Sequence, residues 1–174
     1  MGNHSSGSAG IAVLLFEDNL AQATYTKRAL EEEGFAVDIC QTGREGLKAL
    51  AEHDYQVCLI DVRLPDTTGV ELLRHIQALR PRTVSIIVTG QGDERLAVEA
   101  MKSGAYEYLV KGPEMGHVAA LPLVIHEALE RQRLKDERAQ LQTELWEHAR
   151  LLEERNTQLR RANEELRRAS QMKS

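Results

Sequence analysis

The chain has 174 residues, a formal net charge of −5 and only 4% aromatic residues. This length accommodates one domain of about 100–150 residues together with an extension. The negative charge argues against a protein that mainly binds nucleic acid, because such proteins present a basic face. No apolar stretch reaches the roughly 20 residues of a membrane-spanning helix, and residues 1–10 lack the apolar centre of a signal peptide. We therefore expect a cytoplasmic protein in which residues 1–10 form a flexible leader or an expression-tag remnant.

Short apolar runs alternate with amphipathic stretches up to about residue 130. The predicted strands are residues 11–16, 36–40, 57–60, 84–89 and 106–110. The predicted helices between them are residues 20–33, 43–53, 68–79 and 93–103. Strands and helices that alternate at these lengths form a parallel sheet covered on both faces. The pattern predicts a doubly wound α/β fold with five strands, and with a fifth helix after the last strand.

Local signals mark the starts of the first three predicted helices. Asn19 is placed to cap the first helix, because Asn side chains accept hydrogen bonds from the free amides there. Thr42 and Glu45 have the spacing of a capping box before the second helix, and Thr68 and Glu71 repeat it before the third. In such a box, the hydroxyl and the carboxylate each satisfy a free amide at the helix start.

Polar side chains follow or end four of the predicted strands. Glu17 and Asp18 follow the first strand, and Asp61 follows the third. Thr89 ends the fourth strand and Lys111 follows the fifth. The carboxyl ends of parallel strands meet in one crevice, so we expect these five side chains to converge. An isolated Asp is usually a solvated loop charge, but five suitable groups at strand ends indicate a functional site.

The chemistry of this set suits a divalent cation and a phosphoryl group. Magnesium takes one or two protein carboxylates, keeps several waters and completes its shell with phosphate oxygens. Crowded carboxylates raise one another's pKa, so a cation or an amine is needed to keep all of them ionised. Lys111 supplies that positive charge and is placed to pair with a phosphoryl oxygen. Phosphoryl transfer requires mainly positioning and neutralisation of charge from the protein.

A seven-residue repeat dominates the chain after Pro122. The repeating leucines are Leu145, Leu152, Leu159 and Leu166. The companion heptad positions hold the apolar residues Leu134, Leu141, Ala162 and Ala169. The seam is interrupted at Arg138, His148 and Arg155. A sustained heptad indicates a helix that pairs with another helix, and we expect a parallel homodimer through residues 134–169. The alternative, a solvated single helix of about 50 residues, would be weakly stable in water.

Residues 11–130 resemble the receiver domain of two-component response regulators. The segments that match are Glu17-Asp18, Asp61-Val-Arg-Leu-Pro-Asp-Thr-Thr-Gly69, Thr89-Gly90, Gly104-Ala105 and Tyr108-Leu-Val-Lys111. Each is weak alone, but together they agree with the family in order and spacing. The resemblance implies a flavodoxin-like, CheY-like sheet of strand order 2-1-3-4-5. Residues 131–174 would then form a coiled-coil signalling helix.

The resemblance also implies a role for each residue of the crevice. Asp61 would accept a phosphoryl group from a phosphohistidine of a partner histidine kinase or phosphotransfer protein. Glu17, Asp18 and Asp61 would hold Mg²⁺, together with the main-chain carbonyl of Arg63. Lys111 would pair with the phosphoryl group. The chain would then catalyse only its own phosphorylation and dephosphorylation, and would turn over no external substrate.

Further residues of the resemblance concern the switch and its lifetime. Thr89 would move to bond the phosphoryl group, and Tyr108 would turn inward into the vacated space. Tyr108 could equally be a half-buried packing aromatic. Arg63 and Gln91 border the path of the hydrolytic water in this family, so we expect them to tune the lifetime of the phosphorylated state.

One departure concerns the loop after the lysine. The family usually places a proline with a cis peptide directly after it, but here Gly112 precedes Pro113. The sequence therefore predicts neither a cis peptide nor the usual loop shape at this position.

Enzyme alternatives fit this sequence less well. A phosphatase of the haloacid dehalogenase type needs a second Asp two residues after the nucleophile, where this chain has Arg63. A flavodoxin-like cofactor binder needs a phosphate-binding loop after the first strand, where Glu17 and Asp18 would repel phosphate. A histidine-kinase dimerisation helix would need a His-Glu-Leu-Arg-like motif with a proline soon after it, and His126-Glu-Ala-Leu129 lacks both the arginine and the proline.

The output is the least determined part of the function. The basic residues before the leucine repeat are interleaved with Glu130, Asp136 and Glu137, so they form no purely basic face for nucleic acid. We expect the fifth helix to pass the switch to a dimeric output. The alternatives are a free-standing dimeric adaptor, in which phosphorylation changes only partner binding, and a receiver fragment of a hybrid sensor kinase or cyclase.

Overall fold

The computed structural model describes residues 10–90 and 94–173. It divides into two units, with the boundary between Gln132 and Arg133. The first unit contains a five-stranded sheet whose strands are β1 (Ala12–Phe16), β2 (Ala36–Cys40), β3 (Val57–Asp61), β4 (Val84–Thr89) and β5 (Glu107–Val110). All neighbouring strands are parallel, and the order is β2-β1-β3-β4-β5. The doubly wound fold and the strand order are confirmed.

Five α-helices begin within the described residues of the first unit, and the first four of them had predicted bounds. The described ends of those four agree with the predictions to within one or two residues, the usual uncertainty of such boundaries. The five helices are α1 (Leu20–Glu32), α2 (Gly43–Glu52), α3 (Gly69–Leu79), α4 (Glu94–Lys102) and α5 (Leu121–Met172). A 3₁₀ segment, Pro113–Ala120, lies between β5 and α5 and was not predicted. Among the described residues, no helix combines the length and the apolar character needed to cross a lipid bilayer.

The two predicted capping boxes have different outcomes. At the start of α3, the Thr68 side chain accepts from the Glu71 amide and the Glu71 carboxylate accepts from the Thr68 amide. At the start of α2, Thr42 accepts from the Glu45 amide at 3.1 Å, as predicted. The Glu45 carboxylate, however, accepts from the amide of Gln41, one residue earlier, at 3.0 Å. The reciprocal half of the second box is therefore wrong.

Both faces of the sheet are buried, and β1 shows how. Leu14 and Phe16 pack into a core with side chains of α2, α3 and α4, whereas Val13 and Leu15 pack into a second core with α1 and α5. This alternation follows from the opposite directions of successive side chains in a strand. Gly46 of α2 lies against the Phe16 ring, where an added Cβ would be 1.8 Å from a ring carbon. That contact fixes the packing of α2 beside the end of β1.

Candidate functional site

The carboxyl ends of four strands meet at one edge of the sheet, as predicted. Glu17 follows β1, Asp61 ends β3, Thr89 ends β4 and Lys111 follows β5. The Lys111 amide donates to the Thr89 carbonyl at 2.6 Å, which extends the pairing of β4 and β5 to the site. The order of strands therefore brings together residues that are far apart in sequence.

Three carboxylates form a compact acidic cluster. Glu17, Asp18 and Asp61 each offer one oxygen, and these oxygens lie within 4.8 Å of one another. Glu17 is buried, Asp61 is half-buried and Asp18 is exposed, so the cluster is open to solvent on one side. Carboxylate oxygens are the ligands that hard divalent cations prefer. The donor set therefore fits a cation such as Mg²⁺.

The Lys111 ammonium lies between the carboxylates and helix α1. Its Nζ donates to Asp61 Oδ2 at 2.5 Å and to Glu17 Oε2 at 2.6 Å. A third bond, to Gln22 Oε1, is 3.0 Å long. Sequence reasoning missed Gln22, although it lies on the first helical turn after the acidic pair, which is one signal for a side chain near the crevice.

Burial and charge act against each other at this site. Burial raises the pKa of the Glu17 carboxyl, and the nearby Asp61 charge raises it further, while Lys111 partly opposes both. Burial lowers the pKa of Lys111, but hydrogen bonds and charges from Asp61 and Glu17 outweigh it and leave that pKa raised. Lys111 is therefore a cation at neutral pH. With all three carboxylates ionised, one ammonium leaves two negative charges, which a divalent cation would neutralise.

The loop after Asp61 is held close to the site. The Arg63 amide donates to Asp61 Oδ1 at 3.0 Å, so the two carboxylate oxygens have separate partners in Arg63 and Lys111. Gly69 lies directly behind this loop, where an added Cβ would come within 2.7 Å of the Asp61 carbonyl oxygen. The predicted role of the Arg63 carbonyl as a metal ligand remains a prediction. Residues 10–90 and 94–173 contain no cis peptide, so the bond between Gly112 and Pro113 is trans.

The two predicted switch residues lie on neighbouring strands. Thr89 is 1% exposed, and its hydroxyl donates to the Gly90 carbonyl at 3.3 Å. Tyr108 is half-buried on β5 and packs against the core that contains Phe16. These positions agree with both expectations for Tyr108, switch and packing aromatic. The predicted tuning residue Gln91 lies outside the described residues.

A family model described as the response regulator receiver domain matches residues 13–121. The transcriptional regulatory protein FixJ of Rhizobium meliloti (strain 1021) is 40% identical over 102 residues, which cover 59% of this chain and 47% of FixJ. The transcriptional regulatory protein ZraR of Escherichia coli (strain K12) is 31% identical over 110 residues, which cover 63% of this chain and 25% of ZraR. The match thus spans between a quarter and about half of these relatives.

Solved structures similar to this chain also include receiver domains. A receiver domain protein from Clostridium thermocellum is 32% identical with a TM-score of 0.65, and the match covers 71% of this chain and 97% of that one. The beryllofluoride-activated NtrC4 receiver domain dimer is 35% identical with a TM-score of 0.63, and the match covers 70% of this chain and 98% of that one. In both cases the match covers nearly the whole of the solved receiver domain.

Proposed function

Because the chain belongs to the response regulator receiver domain family, we propose that Asp61 accepts a phosphoryl group from a phosphohistidine of a partner kinase or phosphotransfer protein. The observation that carries the proposal is the meeting of Asp61 with two further carboxylates and with Lys111 Nζ, 2.5 Å away. A lone nucleophilic carboxylate would repel an anionic donor. Here an ammonium and a cation-binding cluster offset that repulsion.

In this reaction the bond between phosphorus and the donor imidazole nitrogen breaks, and the nitrogen keeps the electron pair. A new bond forms between phosphorus and a carboxylate oxygen of Asp61, giving an acyl phosphate. Lys111 donates to a phosphoryl oxygen and so neutralises part of its charge. Thr89 then bonds a second phosphoryl oxygen, and Tyr108 follows it inward.

Glu17, Asp18 and Asp61 would hold Mg²⁺, and the Arg63 carbonyl would join them. The cation would neutralise phosphoryl charge as it develops during transfer. Residues of the chain hold the carboxylates in place. The Arg63 amide donates to one Asp61 oxygen, and Glu17 is buried near Asp61 at the end of β1. Hydrolysis of the acyl phosphate by water returns Asp61 to its free form, and Arg63 and Gln91 tune that rate. No external substrate is turned over.

The test is incubation of the protein with Mg²⁺ and acetyl phosphate, followed by intact-mass measurement beside an Asp61→Asn variant. We expect the wild type to gain one phosphoryl group and the variant to gain none. The Asn side chain has nearly the same shape, so a loss of the adduct reports chemistry at Asp61. A gain that persists in the Asp61→Asn variant would show that a residue other than Asp61 accepts the phosphoryl group. No gain, together with no binding of beryllofluoride, would refute the proposed chemistry.

The output step rests on the second unit, which is a helix with leucines at heptad spacing. We propose that this helix pairs with a second copy in parallel and that phosphorylation changes the pairing through α5. The NtrC4 relative is a receiver dimer in its beryllofluoride-activated form. Distances between spin labels on the two helices would change with beryllofluoride. Unchanged distances, with altered binding of a partner, would favour the adaptor alternative.

A further inference from the structure

Among the described residues, Lys111 has one neutral hydrogen-bond partner besides its two carboxylate partners. An ammonium carries three N–H donors, and Asp61, Glu17 and Gln22 supply three acceptor oxygens within 3.0 Å. The carboxylates of Asp61 and Glu17 are also groups that the proposed cation and phosphoryl group would engage. Gln22 carries no charge and is not a member of the acidic cluster. Its bond to Lys111 therefore does not compete with those ligands.

The position of Gln22 is fixed by the start of α1. The helix begins at Leu20, and the side chain of Asn19 caps it by accepting from the Gln22 amide at 3.1 Å. The Asn19 amide in turn donates to Glu17 Oε1 at 3.2 Å. The cap thus connects the acidic pair at the end of β1 with the first turn of α1. This turn holds the Gln22 side chain, which is half-buried, beside the Lys111 ammonium.

The side-chain amide of Gln22 differs from a carboxylate in adding no negative charge beside Lys111. The first turn of α1 contains no acidic residue, although the free amides of a helix start favour one. A carboxylate at residue 22 would add a negative charge where an anionic phosphodonor must approach. A glutamine accepts the same hydrogen bond from Lys111 without that charge.

We propose that Gln22 is a positioning residue, which holds the Lys111 ammonium at the phosphorylation site while its carboxylate partners exchange for cation and phosphoryl group. This inference rests on the proposed function of Asp61. Gln22 acts through Lys111 and contacts no reacting atom. Without Gln22, Lys111 loses the neutral partner that phosphorylation leaves in place, and fewer of its conformations reach the phosphoryl oxygens.

The first test is the rate of adduct formation with acetyl phosphate and Mg²⁺ in a Gln22→Leu variant. Leucine removes the acceptor at similar volume, and Gln22→Met serves if the leucine variant does not fold. We expect a rate about three- to tenfold lower, the order for one typical hydrogen bond. Thr24→Ala is the matched control, because Thr24 is exposed on the same helix and bonds only its own helix, at the Leu20 carbonyl.

The second test needs no phosphorylation. Competitive labelling of amines in the unphosphorylated protein, followed by mass spectrometry, reports how firmly Lys111 is held. We expect Gln22→Leu to raise the labelling rate of Lys111 severalfold while exposed Lys48 is unchanged. A protein merely destabilised by the substitution would label faster at buried sites in general.

The two tests separate the possible failures. If the wild type forms the adduct and Gln22→Leu matches it in both rate and labelling, the positioning role is refuted. If the wild type forms no adduct, the proposed function fails. The labelling then tests the contact between Gln22 and Lys111 by itself. Faster labelling of Lys111 in Gln22→Leu supports that contact, and unchanged labelling refutes it. Slower adduct formation with faster labelling, both absent in Thr24→Ala, is the expected result.

Discussion

The two units of this chain use leucine in opposite ways. In the first unit, Leu14 and Leu59 are 0% exposed and lie between the sheet and its helices. In the second unit, Leu145 is 69% exposed and Leu152 is 64% exposed, and every described residue from 137 onward is exposed. The first unit satisfies its apolar side chains within one chain. The leucines of the second unit have the heptad spacing of residues buried between helices. The described part of that unit, however, offers no surface against which they could pack.

This difference shows where each unit obtains its stability. Burial of apolar surface stabilises the first unit, at roughly 25 cal/mol per Å². A helix in the second unit gains only backbone hydrogen bonds and weak side-chain pairs such as Arg133 with Glu137, an exposed pair four residues apart. Such pairs contribute about 0.3–0.5 kcal/mol each. The proposed partner helix would supply the burial that the second unit lacks, whereas the first unit obtains its burial within one chain.

The largest expected effect on the fold is in the first unit, where Gly46→Ala would destabilise the packing of α2 on the sheet. Alanine favours a helix over glycine by about 0.5–1 kcal/mol. The added Cβ, however, would lie 1.8 Å from a Phe16 ring carbon, and overpacking of a well-packed core costs about 1–3 kcal/mol and occasionally more. The cost exceeds the gain, so the melting temperature should fall. Thermal unfolding by circular dichroism measures it.

A matched glycine and a compensating change make this test specific. Gly116→Ala places a Cβ where no atom lies within 4 Å, so it should change the melting temperature little. Phe16→Leu combined with Gly46→Ala should recover part of the loss, because the smaller side chain relieves the overlap. If Gly46→Ala were as stable as Gly116→Ala, the packing of α2 against β1 would not be as described.

The second effect concerns the leucine seam. Leu152→Asp with Leu159→Asp should separate the proposed dimer, because each pair of leucines buried between two helices is replaced by a pair of like charges. At about 1.5–3 kcal/mol for each buried leucine, the dissociation constant should rise at least about 100-fold. Sedimentation measures the association, and the helical circular dichroism signal should fall with it. The melting temperature of the first unit should stay nearly unchanged.

Thr157→Asp is the control for this second effect. Thr157 is exposed, and its hydroxyl donates to the Glu153 carbonyl of its own helix, off the leucine seam. The same new charge at this position should leave association intact. A wild-type helical signal independent of protein concentration, with a monomer in sedimentation, would show that the helix stands alone and that the proposed pairing is wrong.

The sequence predicted that the side chains of the candidate site converge, because a parallel sheet places the carboxyl ends of its strands at one edge. Asp61 and Lys111 are 50 positions apart, yet both stand at the carboxyl ends of strands of one predicted parallel sheet, and such a sheet places those ends along one edge. Predicting Gln22 would have required the direction of the first turn of α1 relative to β5. That direction depends on the packing of the helix on the sheet, which no local pattern encodes.

The remaining differences have similar causes. The 3₁₀ segment after β5 includes Glu114 and Met115 with φ of 52° and 59°, a region that non-glycine residues rarely adopt, so their types gave no signal. The start of α2 was predicted from Thr42 and Glu45 alone. In the structure, Asp66 of the loop after β3 also caps it, by accepting from the amides of residues 43 and 44 at 2.8 and 3.0 Å. A local sequence motif cannot predict a cap that a residue 22 positions away supplies.

The smallest expected effect is the pH dependence that this distant cap confers on the first unit. Hydrogen bonds from the amides of Gly43 and Arg44 lower the pKa of the Asp66 carboxyl from its ordinary value of 3.8. The ionised carboxylate therefore stabilises the fold above pH 3.8, and this stabilisation is lost as the pH falls through the lowered pKa. Asp66→Asn keeps one acceptor oxygen and removes the charge. Its melting temperature should be slightly below that of the wild type at pH 7, and the difference should shrink as the pH approaches 3. Asp66 lies in the loop after β3, so a difference independent of pH would mean that its charge does not tie this loop to α2.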